Sequence, residues 1–260
     1  MKTIIEALDF SMPSYNAVHY AASMYKGWKD VRFILYHYYD DLSEAGNSRA
    51  MLNSLKNELS EWLPDIETFA ESGDNMIDSL SAYAHVKGAY MIVMGLMGKN
   101  SLAHRFSGSH SLRMAEKNVC PVLIVPAGAK FAQIKNVLIA SEMKNVDETP
   151  ALLAVKRILS DFKPILHILN VDSKHYVSLT SDYQEAKLKM QELLTDYNPE
   201  FYFMRLYDFH ESVNLFTEDK NIDLIMIAPR YHGFFERLFK TPHTQAVVYH
   251  SKVPVLAVHE

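Results

Sequence analysis

The sequence has little of several features that would identify whole classes of protein. Its 260 residues include one cysteine, Cys120, so no disulfide can form within the chain, and this fits a reducing compartment. No apolar run approaches the roughly 18 residues that a membrane-spanning helix needs. The first residues, MKTIIEALDFS, contain neither a long apolar core nor a small-residue cleavage site, so we do not expect a secretory signal.

An excess of basic residues is also missing. The formal net charge is −5, which argues against a general nucleic-acid-binding protein. Apolar residues make up 48% of the chain and charged residues 22%, as in ordinary globular proteins. At roughly 100–200 residues per domain, the length allows one large domain or two small ones. These observations predict a soluble cytoplasmic protein with neither a nucleic-acid partner nor a membrane partner.

What the sequence does contain is an internal repeat. The segment PVLIVP, which begins at Pro121, resembles PVLAVH, which begins 133 residues later. The same offset relates KTIIEALDFS, beginning at Lys2, to KNVLIASEMK. With one residue of slack, it also relates YMIVMG, ending at Gly95, to LIMIAP. Three matching segments at one offset predict two homologous domains. The predicted domains are residues 1–127 and 134–260, joined by a linker at 128–133.

Within each half, short segments of apolar residues alternate with segments whose apolar residues have helical spacing. This alternation predicts an α/β fold with two doubly wound, five-stranded parallel sheets, each with helices on both faces. The predicted strands are Thr3–Leu8, Val31–Tyr38, Ile66–Glu71, Ala89–Met94 and Val122–Val125, then Asn136–Ser141, Ile165–Val171, Phe201–Leu206, Asp223–Ala228 and Val255–Val258. The predicted helices of the first half are Ser14–Tyr25, Asn47–Trp62, Asn75–Val86 and Ser109–Lys117.

Three glycines follow the fourth predicted strand, at positions 95, 98 and 108. Gly95 and Gly98 come directly after the strand, and Gly108, followed by Ser109, opens the next predicted helix. Glycine permits positive φ and close approach of the backbone to a ligand. A helix N-terminus adds free N–H groups and the positive end of the helix dipole. The segment therefore has the parts of a phosphate-binding loop. The alternative interpretation is that the glycines form turns and Ser109 caps the helix.

The spacing Gly-2x-Gly-9x-Gly-Ser resembles the ATP-binding signature of the universal stress protein family, with every fixed position present. Asp9 after the first strand, Leu35-Tyr-His-Tyr in the second and Pro121-Val-Leu-Ile-Val in the last are similar to further motifs of that family. The resemblance covers both halves. It implies a tandem universal stress protein with a Rossmann-like, adenine-nucleotide alpha-hydrolase-like fold. It also implies an intrachain pseudo-dimer paired through the last strands, and a homodimer of the whole chain stays open.

The resemblance further implies a nucleotide site in the first half, at the carboxyl edge of the sheet where ligands of open α/β folds bind. Asp9 would face the ribose or a phosphate-bound metal. Tyr38 would meet adenine through its backbone, although the family usually has valine there. The implied ligand is ATP, which could bring Mg²⁺ or Mn²⁺ with it. The remaining implied cofactor-binding residues are Met94, Gly95, Gly98, Gly108, Ser109, His110 and Ser111.

The second half lacks these glycines. At the common offset, Ala228, Tyr231, Thr241 and Pro242 replace Gly95, Gly98, Gly108 and Ser109, and Glu142 replaces Asp9. Tyrosine and threonine do not replace glycines that need positive φ, and proline has no N–H to donate. We therefore predict that the second half does not bind ATP in the family's manner. The aromatic loop Tyr231–Phe239 would fill the vacated pocket or contact the other domain.

Other chemistry has weaker support in the sequence. Neither a His-Glu-x-x-His nor a Cys-x-x-Cys pattern is present, so we expect no protein metal site, and a Gly-x-Ser-x-Gly nucleophile motif is also missing. We expect Cys120 to be a buried structural thiol. Three functions remain open: a nucleotide-binding regulatory protein without a catalytic residue, a slow ATP-hydrolysing or nucleotide-transferring enzyme, and an interaction protein that has no ligand.

Overall fold

The computed structural model describes residues 1–96, 107–140, 146, 150–171, 181–204, 209–227, 248 and 251–258. The chain divides into two compact units, Met1–Ala132 and Gln133–Glu260. Each unit contains one parallel sheet, and the described connections between successive strands of each sheet contain helices. The predicted α/β, doubly wound fold is confirmed. Pairing of the two units as a pseudo-dimer stays a prediction.

The N-terminal unit has the strand order β3-β2-β1-β4-β5. The chain winds outward from β1 to β3 and then returns to the other side of β1, so the switch point lies between β1 and β4. The strands are β1 (Lys2–Leu8), β2 (Val31–Tyr38), β3 (Ile66–Glu71), β4 (Met91–Leu96) and β5 (Val122–Pro126). The helices are α1 (Met12–Met24), α2 (Ala45–Leu59), α3 (Met76–Lys87) and α4 (Ser107–Ala115).

Capping residues set the ends of two of these helices. The side chain of Ser11 accepts a hydrogen bond from the N–H of Ser14 at the start of α1, where Pro13 occupies the first turn. Asn75 caps α3 in the same way. That helix ends at Gly88, whose φ of 57° is in the left-handed region that glycine adopts without strain.

The C-terminal unit repeats this plan with the strand order β10-β9-β6-β7-β8. Its strands are β6 (Asn136–Ala140), β7 (Ile165–Val171), β8 (Glu200–Met204), β9 (Leu224–Ile227) and β10 (Val255–Ala257). Its helices are α5 (Pro150–Phe162), α6 (Ser181–Leu193) and α7 (Phe209–Asp219).

Strand register shows that the two units correspond residue by residue at an offset of 133. Ile5 of β1 lies beside Ile34 of β2 and Ile92 of β4. Leu138, 133 residues after Ile5, lies beside the residues with the same offset from those neighbours, 167 in β7 and 225 in β9. The repeat seen in the sequence is therefore a structural repeat, and the one-residue slack that the sequence comparison allowed in β4 is not needed.

An aromatic pair also repeats beside the outermost strand of each unit. Phe69 of β3 stacks on Tyr83 of α3, with ring centroids 4.2 Å apart. Tyr202 of β8 meets Phe216 of α7 edge-on, with centroids 4.9 Å apart. Both pairs occupy the same two positions of the repeat.

Two predicted boundaries near the glycine segment are wrong. Strand β4 continues to Leu96, two residues beyond the predicted end, because Gly95 still pairs with Val125 of β5. Helix α4 begins at Ser107 rather than Ser109. Gly95 is thus part of the strand, and Ser109 lies inside the helix instead of capping it.

Candidate functional site

The candidate site lies at the carboxyl edge of the N-terminal sheet. Strands β1 and β4 are parallel neighbours, with Ala7 beside Met94, so both strands end at the same edge. Asp9 follows β1 directly, and Gly95 and Leu96 complete β4. This edge is the switch point, which is where ligands of open α/β sheets bind.

Asp9 is held by the turn that leads into α1. One of its carboxylate oxygens accepts a hydrogen bond from the N–H of Ser11 at 3.0 Å. Desolvation by nearby protein atoms raises the pKa of Asp9, but hydrogen bonds from Ser11 and Ser14 outweigh that effect, so its pKa lies below the usual value. The carboxylate is therefore ionised at neutral pH and is exposed at the edge of the sheet.

The start of α1 leaves no room for a side chain at position 95. A β-carbon at this position would lie 2.4 Å from the carbonyl oxygen of Pro13 and 2.9 Å from the nitrogen of Ser14. Its φ is outside the left-handed region. Neither a turn nor positive φ explains this glycine; close packing of β4 against α1 does.

The first turns of α4 approach the ends of β1 and β4. The fully buried hydroxyl of Ser111 donates a hydrogen bond of 3.0 Å to the carbonyl oxygen of Gly95. Desolvation and the charge of Arg113 lower the pKa of His110, while the charges of Asp9 and Asp40 act in the opposite direction. His110 is therefore an uncharged imidazole at neutral pH, near two acidic residues of the candidate site.

Aromatic residues follow β1 and end β2 at this edge. Phe10 has a φ of 59°, which is unusual for a bulky residue, and its ring lies 4.4 Å from the ring of His37. His37 is buried, and its Nδ1 lies 2.8 Å from the carbonyl oxygen of Leu8. Because a carbonyl oxygen can only accept, Nδ1 donates this hydrogen bond. The hydroxyl of Tyr38 donates to the carbonyl oxygen of Gly73.

The structure brings only part of the sequence-predicted site together. Asp9, Gly95, His110 and Ser111 converge on one edge. Met94 is a core residue of β4, 5% exposed, and its side chain offers little surface to a ligand. Gly108 and Ser109 belong to the first turn of α4. Gly98 and the rest of the segment 97–106 lie outside the described residues.

The replacements predicted to inactivate the second half also lie outside the described residues. They are Glu142, Ala228, Tyr231, Thr241 and Pro242. The prediction that this half does not bind ATP therefore stays a prediction, as does the role of the loop Tyr231–Phe239.

Sequence reasoning missed Phe10, Asp40 and Glu6. Nothing in the sequence marks the positive φ of Phe10. Asp40 and His110 are far apart in the chain, so the sequence does not indicate that they lie near each other. A signal was available for Glu6, because it is the one charged residue inside the otherwise apolar run Ile4–Leu8.

Metal binding and membrane spanning find no support in the part of the chain that the structure describes. No group of three or more histidine, cysteine, aspartate or glutamate side chains there is arranged to hold a metal ion. Across the same residues, no helix combines the length and the apolar character that a bilayer crossing requires.

Cys120 is half-buried, and desolvation raises its pKa to about 12.

Comparison with known proteins identifies the family. The universal stress protein family matches twice, at residues 1–126 and 134–259. A putative universal stress protein from Pseudomonas aeruginosa UCBPP-PA14 has a similar structure, with a TM-score of 0.68 and 15% identity over 100% of this chain and 93% of that one. A universal stress protein from Archaeoglobus fulgidus DSM 4304 gives a TM-score of 0.67 and 17% identity, covering 99% of this chain and 96% of that chain. No curated protein sequence gives a significant match. The chain belongs to the universal stress protein family, as a tandem member.

Proposed function

We propose that the N-terminal unit binds an adenine nucleotide, ATP, and that occupancy acts as a regulatory switch. One observation carries this proposal: the ionised carboxylate of Asp9 lies at the switch point, with the first turns of α4 beside it. A carboxylate at the end of a strand is suited to accept hydrogen bonds from ribose hydroxyls. The first N–H groups of α4, which have no partner within the helix, are suited to phosphate oxygens.

The charge distribution around Asp9 supports a role for a divalent cation with the nucleotide. Asp9 and Asp40 are both near His110, which is uncharged at neutral pH. Two carboxylates beside a triphosphate repel it unless a cation intervenes. Mg²⁺ or Mn²⁺ arriving with ATP would reduce this repulsion, since such ions bind phosphates with few protein ligands.

A second candidate function is slow hydrolysis of the bound nucleotide, and His110 is the observation that favours it. An uncharged imidazole can accept a proton from an attacking water. We expect binding without fast turnover. Among the described residues, the other histidine at this edge is His37, and its burial keeps its ring from acting on a bound nucleotide. A His110→Gln variant that binds ATP normally and loses all turnover would establish hydrolysis.

The setting of this function is also a proposal. We infer that the chain acts in the cytoplasm, which its single cysteine supports. The proposed domains are residues 1–127 and 134–260 with a linker at 128–133, and a homodimer of the whole chain stays open.

Binding can be tested on the purified full chain. Native mass spectrometry shows whether a nucleotide copurifies, and calorimetry with ATP and Mg²⁺ gives its affinity. Asp9→Asn should weaken ATP binding about tenfold or more, because it removes a charged hydrogen-bond acceptor. Asp30→Asn is the matched control, since Asp30 precedes β2 at the opposite edge of the sheet. If wild-type protein carries no nucleotide and binds no ATP at millimolar concentration, the interaction-protein alternative replaces this proposal.

A further inference from the structure

Glu6 is a charged-type residue at the centre of the N-terminal core. It lies in β1, the middle strand of its sheet, beside Leu35 of β2 and Val93 of β4. Only 1% of its surface is exposed. A carboxylate in such surroundings loses its hydration, which is costly unless a partner replaces the water.

The side chain of Glu6 faces the helix α1. Side chains alternate between the faces of a strand, so Glu6, Val93 and Gly95 share one face of the sheet. That face is covered by α1, because a β-carbon on Gly95 would collide with the backbone of Pro13. The carboxyl group of Glu6 therefore lies between the sheet and α1.

Neither carboxyl oxygen of Glu6 has a hydrogen-bond partner among the described residues. On the same face of β2, His37 directs its Nδ1 to the carbonyl oxygen of Leu8 instead. The part of β4 that faces Glu6 contains Val93 and Gly95, neither of which titrates. The immediate strand neighbours thus offer no charge or hydrogen bond to this carboxyl group.

The helices on this face also leave Glu6 without a charged partner. On α1, Nε2 of His19 lies 3.3 Å from a carboxylate oxygen of Glu58 of α2 near the surface, and Tyr20 packs against the ring of Phe131. The remaining titratable residues of these two helices are Tyr15, Arg49 and Lys56, and Tyr25, directly after α1, is buried against Phe33 on the same face. Burial raises the pKa of Glu6 well above its usual value, and no charge among the described residues contributes to the shift.

In the C-terminal unit, the position equivalent to Glu6 is occupied by an apolar residue. Ile139 occupies it, 133 residues after Glu6, and is 6% exposed. It lies beside Ile168 and Met226, which correspond to Leu35 and Val93. The same packing environment thus holds an apolar side chain in one unit and a carboxyl group in the other.

We propose that Glu6 holds a proton in the native N-terminal unit and works as a proton-sensitive switch, in which loss of the proton loosens α1 from the sheet. Ionisation would leave a charge without a partner between β1 and α1. The start of α1 packs on Gly95 and supports the turn that holds Asp9. Loosening α1 therefore reaches the candidate site, although the proposal does not depend on nucleotide binding.

The direction of the pH effect follows from the two states of Glu6. In the unfolded chain its pKa is near 4.5, and in the native unit its pKa is well above that. Between these two values the native state keeps the proton and the unfolded state releases it. The contribution of Glu6 to the stability of the unit is therefore fully present below about pH 4.5 and falls as pH rises toward the native pKa, by up to about tenfold in the unfolding constant per pH unit.

Tryptophan fluorescence can test this in the full chain, because both of its tryptophans, Trp28 and Trp62, belong to the N-terminal unit. Urea unfolding is followed between pH 5 and 9 for wild type, Glu6→Gln and Glu6→Ile. Relative to either variant, the wild-type unfolding constant should rise by up to about tenfold per pH unit. The control is Glu61→Gln, which neutralises an exposed glutamate of the same unit and should keep the wild-type slope.

Parallel pH profiles for wild type and both Glu6 variants would overturn the proposal. If neither variant folds, amide hydrogen exchange of the wild-type chain decides the matter. Corrected for intrinsic rates, the protection of α1 amides should fall more than that of α3 amides between pH 6 and 9. Equal changes in the two helices would contradict the switch.

Discussion

A β-carbon added to Gly95 would lie 2.4 Å from the carbonyl oxygen of Pro13. The first glycine of the family motif is therefore a packing requirement between β4 and α1. The same contact joins two parts of the candidate site, since α1 begins at the turn that holds Asp9.

We expect Gly95→Ala to destabilise the N-terminal unit by about 1–3 kcal/mol, because backbone atoms of α1 must move to admit the methyl group. Gly46→Ala is the control. Gly46 is exposed in α2 with no atom near its added β-carbon, so alanine there should stabilise the helix by about 0.5–1 kcal/mol. Tryptophan-monitored urea unfolding measures both. Effects of the same sign would contradict the packing explanation.

The backbone strain of Phe10 predicts an inverted order of two substitutions. Glycine and alanine both remove the ring that packs on His37, but only glycine accepts a φ of 59° without strain. Phe10→Gly should therefore be more stable than Phe10→Ala by about 1 kcal/mol. At Asn47, exposed in α2, the order should be the usual one, with alanine more stable than glycine. Urea unfolding of the four variants gives the comparison, and an alanine advantage at position 10 would show that the turn relaxes.

Much of the fold follows from local patterns, and these cases show why. β1 and β2 were predictable because each is a short, mainly apolar run bounded by polar residues. The boundaries near the glycines were not, since β4 extends through Gly95 only by pairing with Val125 of β5. The start of α4 was placed two residues too late for a similar reason: serine and glycine suggested a cap at a position that lies inside the helix.

The sequence predicts where the candidate site lies but not which contacts make its residues necessary. Asp9 could be located from the end of β1. The cause of the Gly95 requirement could not, because Pro13 is distant in sequence and the contact exists only after β1 and β4 pair. The packing of Phe10 on His37 depends likewise on β1 lying beside β2.

The hydrogen bond from Ser111 to Gly95 should contribute measurably to stability. The hydroxyl is fully buried and lies 3.0 Å from the carbonyl oxygen, so Ser111→Ala should cost about 1 kcal/mol. Ser60→Ala is the matched control, because its hydroxyl also donates to a backbone carbonyl but is exposed. Its loss should stay below about 0.5 kcal/mol. Equal costs for the two variants in urea unfolding would show that burial adds nothing to this bond.

Cys120 should resist alkylation in the native protein. Its pKa of about 12 leaves almost no thiolate at pH 8, and the thiolate is the reactive form. We expect iodoacetamide to modify the native chain at least about tenfold more slowly than the urea-unfolded chain, as followed by intact mass. Raising the pH from 8 to 9.5 should accelerate the native reaction, since the thiolate fraction grows with pH below the pKa. A native rate equal to the unfolded rate would contradict the raised pKa.

The aromatic pairs beside β3 and β8 contain the same two residue types, with their positions exchanged between the two units. In the N-terminal unit the strand contributes phenylalanine and the helix tyrosine, as Phe69 and Tyr83. In the C-terminal unit the strand contributes tyrosine, Tyr202, and the helix phenylalanine, Phe216. Each unit thus has two aromatic rings and one phenol hydroxyl at these positions. The hydroxyl is on the helix in the N-terminal unit and on the strand in the C-terminal unit. Within one polypeptide, the two halves present reciprocal solutions to the same packing problem.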